Sequence, residues 1–198
     1  MHLQLSAEER SVLLRRGRLL EGITLGWNVI GFVVLALLCF ASASVALAGF
    51  GLVSLIAVAA STVVLWDLSG TDRERTEHAL RLIRTACITL AGLLLVASTV
   101  SLLAAHHPEP SPGGIAWAAV TALLMFQLAA GKRNTGRALN NEVLVAEGRV
   151  SLIDGILAGV VTIGLSLALL LHWWFMDPII GYLIAYYAAR EALLIFRR

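Results

Sequence analysis

An all-α membrane protein, a bundle of six transmembrane helices with both termini cytoplasmic, is the fold class predicted by three observations. The chain of 198 residues is 59% hydrophobic and 14% charged, with mean hydropathy +0.84, a balance that belongs to membrane proteins and not to soluble domains. Apolar segments long enough to cross a hydrocarbon core of about 30 Å recur along it. The 15 Lys and Arg residues cluster at alternate connections, which places all of them on one side if the chain crosses six times.

Residues 1–18, MHLQLSAEERSVLLRRGR, set Ser6 three positions before Glu9 and then alternate Val12, Leu13 and Leu14 with Arg10, Arg15, Arg16 and Arg18. This predicts a capped amphipathic segment lying on the cytoplasmic surface. The apolar run that follows is too long for the core of a cleaved signal peptide, despite the Ala41-Ser42-Ala43 sequence at its end. The transmembrane domain therefore occupies 19–198.

Its first span is expected over 19–41, with Glu21 near the inner end and Trp27-Asn28 inside. The second, 45–68, closes on Trp66-Asp67. SGTDRERTEH (69–78) is a mixed-charge inner linker, and the third span runs 79–105. HHPEPSPGG (106–114) contains three prolines and no Lys or Arg, so it reads as an outer turn. A fourth span over 115–130 is followed by a basic connection, GKRNTGRALNNE (131–142). The fifth is the stretch VLVAEGRVSLIDGILAGVVTIGLSLALLL (143–171), and HWWFMDP (172–178) turns the chain into the sixth, 179–196. Trp173, Trp174 and Phe175 mark the outer interface in this arrangement.

Small residues recur every four positions: Gly114, Ala118 and Ala122; Gly155 and Gly159; Gly181, Ala185 and Ala189. Such stripes let helices approach closely in lipid, where apolar burial alone does not drive association. They predict a compact bundle and carry no function.

Asp154 is the residue that asks for one. It lies about 11 residues into the fifth span, hence about 16 Å along a helix and near mid-bilayer. An acid there costs on the order of 3 kcal/mol on insertion scales, and it is retained to face a partner, an ion path or water. Two roles stay open for it, part of a cation path or a protonated group bonded to a neighbouring helix. Glu147, two turns nearer the cytoplasm, reads either as an interfacial carboxylate paired with an arginine such as Arg149 or as a vestibule site with Glu21 or Asn28. Ser54 and Ser151 could add hydroxyl oxygens, though such side chains in helices usually bond their own backbone.

The remaining polar features are weaker. His106, His107 and Glu109 group in the outer turn, where exposed histidines need no ligand. Gln127 is expected to bond between helices. Cys39 and Cys87 both sit in apolar runs and read as small buried side chains. Nothing pairs a nucleophile with a base, cradles a phosphate or presents a nucleic-acid surface, so an enzyme is not predicted.

Six spans, GFGLVSLIAVAASTVVLWDLSG (49–70), AEGRVSLIDG (146–155) and Asp177-Pro178 opening the last span together resemble the membrane domain of the cation diffusion facilitator family. The likeness is to its small bacterial branch, which has no cytoplasmic C-terminal domain. It covers nearly the whole chain and implies a multi-pass protein of the bacterial plasma membrane. By that resemblance the protein moves zinc or a similar divalent cation as substrate, in exchange for protons, and holds no permanent cofactor. The site it implies lies between the second and fifth spans, two ligands from each. Those positions are Val53, Ala57, Val150 and Asp154 here, so the acid alone keeps ligand chemistry. The chain ends after the sixth span, so a homodimer is expected to form through the membrane helices. The alternative is a site-disabled homologue that partners another membrane subunit.

Overall fold

A computed structural model describes residues 7–68, 73–105, 107–109 and 111–196. Among them the chain is helical throughout, with no strand: α1 (Ala7–Ser42), α2 (Val45–Leu68), α3 (Arg73–Leu103), α4 (Pro112–Leu139), α5 (Glu142–Leu171) and α6 (Met176–Phe196). Four of these helices are long and apolar enough to cross a membrane, over Glu8–Ser42, Arg84–Leu103, Pro112–Leu139 and Leu144–Leu171, and a further apolar helix covers Val45–Ala59.

The bundle is built from neighbouring pairs. α4 packs along α5, α3 along α6 and α1 along α2, while α2 also touches α3, α5 and α6, so it runs through the middle. Large apolar side chains point both ways. Leu35, Leu47, Phe50, Leu94 and Ile184 are buried at the centre, whereas Val33, Leu37, Val96, Val100, Leu123 and Ile163 face outward. Among the described residues, buried polar and charged side chains share the interior, including Glu21, Asn28, Lys132, Glu147 and Asp154. An apolar exterior around polar groups is what a lipid solvent permits.

Tight turns set the helices side by side. Asn140 ends α4 in the left-handed region (φ 51°), and its neighbour Asn141 caps α5 by accepting from Leu144 N at 2.9 Å. Asparagine tolerates the first conformation and favours the second role, so two residues make the whole connection. At the opposite end Ser111 accepts from Gly114 N at 3.2 Å, and Pro112 occupies the first turn of α4, where its missing N–H is harmless.

The first turn of α2 is closed by a side chain from the far end of the sequence. Asp177, on α6 and 1% exposed, accepts from the Ser44 hydroxyl, from Val45 N at 2.8 Å and from Ala46 N at 3.4 Å. A carboxylate satisfies helix N–H groups that have no partner within the helix and complements the positive end of its dipole. The Asp177-Pro178 pair thus fastens α6 to α2.

Several expected boundaries move. The segment expected as a separate surface helix, 1–18, is continuous with the first span from Ala7 onward; Met1 to Ser6 lie outside the described residues. The basic connection 131–142 is a larger departure. α4 runs on through GKRNTGRAL to Leu139, because this stretch has no proline to stop it and because Lys132, Thr135 and Gly136 are buried between helices. Of the small-residue stripes, Gly114 packs on Leu47 and Gly155 on Phe126, while a Cβ on Gly159 would meet nothing within 4 Å. Cys39 is half-buried and Cys87 buried, and neither is in a disulfide.

Candidate cation site and the charged layer beside it

Asp154 is 8% exposed and faces a small cavity lined with Asn28 from α1, Phe50, Val53 and Ser54 from α2, and Thr121 and Met125 from α4. The open space is about 10 Å³, enough for about one water. Four helices meet here, and α2 and α5 are in contact, so the fifth-span acid and the second span line one small cavity.

The four positions implied by the family resemblance divide. Val53 stands in the wall of the Asp154 cavity, whereas Ala57 and Val150 are half-buried and form no part of that wall. Ser54 and Asn28 take the polar places, but both spend a donor on their own helix: Ser54 Oγ on Phe50 O at 3.2 Å, and Asn28 Nδ2 on Thr24 O at 2.9 Å. Thr121 adds a hydroxyl, held by Trp27 Nε1 at 3.1 Å, and Trp27 itself stacks on Trp117 with centroids 4.7 Å apart. Met125 contributes a thioether. Sequence reasoning passed over Thr121 and Met125 because neither type stands out in an apolar run.

Two turns along α5 is a second polar group. Lys132 is fully buried, and its Nζ lies 3.1 Å from Glu21 Oε1 and 3.3 Å from Glu147 Oε1. It donates to Glu147 and, at 3.1 Å, to Ser151 Oγ. Its contact with Glu21 is an ion pair, and among the described residues neither Glu21 oxygen has a partner in hydrogen-bond geometry. On α2 the Ser61 hydroxyl, also fully buried, lies beside that carboxylate.

This overturns one expectation and redirects another. Glu147 is buried and paired with Lys132, not held at the interface by Arg149, which is exposed. The place of a cation beside it is filled by the Lys132 ammonium. Glu21 is its neighbour through Lys132, whereas Asn28 belongs to the Asp154 cavity. Lys132 escaped sequence reasoning because it fell in a stretch read as a solvated connection. The available signal was its place seven residues after Met125, on the same face of any helix that continues past Ala130.

Among the described residues no three His, Cys, Asp or Glu side chains come together as a metal cluster. His107 packs on Trp174 with ring centroids 4.9 Å apart, and His106 lies outside the described residues. No protein-family model matches the chain.

Proposed function

We propose that the chain is a six-span transporter of divalent cations of the cation diffusion facilitator type, with both termini cytoplasmic and Asp154 as its ion-binding acid. One observation carries this reading: a carboxylate near the middle of an apolar helix is buried and faces a cavity lined by three other helices. Mid-membrane acids kept away from lipid mark ion and proton routes. The donors around it are mostly oxygens, from Asp154, Ser54, Thr121 and Asn28, with one thioether from Met125. Protons are the counter-ion in this reading, exchanged at Asp154 as the cation leaves.

A second reading has its own support. Val53 gives the cavity wall an isopropyl group, and zinc takes about four N, O or S ligands. A homologue that keeps the bundle but has lost the grip would serve as a membrane partner for another subunit. Flux into liposomes separates the two. Transport by the parent chain of zinc, manganese, cobalt or cadmium, reduced at least about tenfold by Asp154→Asn, is the expected result. Flux that appears only after Val53→Asp with Ala57→Glu would establish the disabled homologue instead. Flux in the parent that Asp154→Asn leaves unchanged would remove Asp154 from the route.

A further inference from the structure

The Asp154 cavity and the Lys132 group are two storeys of one shaft. On each of four helices a residue of one is seven positions from a residue of the other: Glu21 and Asn28 on α1, Ser54 and Ser61 on α2, Met125 and Lys132 on α4, Glu147 and Asp154 on α5. Seven residues are about two turns, or about 10 Å. The direction alternates from helix to helix as antiparallel packing requires, so all four offsets point the same way. The charged layer lies wholly on the side of the α4–α5 turn.

Within that layer one ammonium faces two carboxylates. Ser151 accepts from Lys132, but the Ser61 hydroxyl and both Glu21 oxygens remain without a hydrogen bond though fully enclosed. Such groups ordinarily find partners. Oxygens from α1, α2 and α5 therefore converge on a point where the supplied cation satisfies only some of them. Arg133 and Arg149 are turned toward the surface more than Lys132, which is completely enclosed.

We infer that Glu21, Ser61, Glu147 and Ser151 form a second cation site, with the Lys132 ammonium as its tethered occupant, and that this occupant seals one end of the Asp154 cavity. A free cation with an affinity for hard oxygen ligands takes the place of the ammonium when Lys132 swings away. Such a cation leaves the Asp154 layer by exchange with the lysine and not through an open pore. The inference rests on the transport reading of Asp154, but its readout needs no flux.

The test uses the full chain with Cys39 and Cys87 replaced by alanine and Ser54→Cys as a reporter in the cavity wall. The reporter is titrated in proteoliposomes of either orientation with a small charged methanethiosulfonate. With Lys132 in place, modification from the α4–α5 turn side is slow. Lys132→Gln is expected to speed it at least tenfold from that side only, and millimolar manganese, held by Glu21 and Glu147, to slow it again. Lys132→Arg keeps the charge and the slow rate. Should Lys132→Gln not survive purification, Glu21→Gln with Lys132→Gln removes one of the facing carboxylates and is expected to show the same acceleration. An unchanged rate in these variants would overturn the seal; acceleration in Lys132→Gln that manganese does not reverse, or manganese reversal undiminished in the Glu21→Gln double variant, would overturn the cation site. Failure of Asp154→Asn to alter flux would count against the transport reading alone.

Discussion

Asp177 shows how one side chain can hold two distant stretches of chain together. It is spent on the first turn of α2, where it accepts from the Ser44 hydroxyl and two backbone N–H groups. Hydrogen bonds to a charged acceptor contribute about 1.5–3 kcal/mol each, and a buried donor left unmet costs a further 1–3 kcal/mol. Asp177→Ala is therefore expected to destabilise the bundle by about 2–4 kcal/mol, seen as a lower melting temperature in detergent. Asp177→Asn, which still accepts, is expected to lose less. Asp177-Pro178 was visible in the sequence as the opening of the last span, but its partner was not, because the contact joins residues 133 positions apart. Asp154 was legible for a different reason: an acid inside an apolar run is conspicuous wherever the helices go. Lys132 was hidden by its neighbours, since a lysine amid Arg133, Asn134 and Arg137 looks like one more solvated charge.

At the level of elements, the α4–α5 pair is the most closely fitted. A Cβ on Gly148 would fall 2.6 Å from Arg133 Cγ and 3.0 Å from Arg133 N, and one on Gly136 would fall 2.8 Å from Val145 N. The helices touch backbone to backbone, which a larger side chain prevents. Gly148→Ala is expected to cost about 1–3 kcal/mol through forced separation. Gly159→Ala, on the same helix with open space around it, is expected to be neutral or to stabilise by up to about 1 kcal/mol, because alanine favours the helix. Thermal unfolding of the two variants side by side checks the contrast. The fourfold stripes predicted close packing correctly, yet Gly155 and Gly159 formed one stripe in sequence and have unlike surroundings. Spacing places a glycine on a face of its helix, and only the neighbouring helix decides whether that face is covered. The extent of α4 is likewise not legible in its charges: they suggest the end of the helix, whereas burial against α1 and α5 prolongs it.

For the molecule as a whole, hydropathy was enough to establish that the chain is a bundle of apolar helices, because about 20 apolar residues in a row have few other uses. The number of crossings and the side of the termini belong to the proposal and are open to direct measurement. With Cys39 and Cys87 replaced, His107→Cys is expected to react with an impermeant maleimide on intact cells, and Arg137→Cys only after permeabilisation. Labelling of both positions from outside would refute the proposed topology.

The turn of two asparagines between α4 and α5, with the glycine contacts beneath it, leaves that hairpin almost no freedom to flex. Any rearrangement of the bundle must carry it as a single lever. Of the three attachments of Lys132, those to Glu147 and Ser151 are then internal to the lever and travel with it, and the one to Glu21 is where the stroke must make its break.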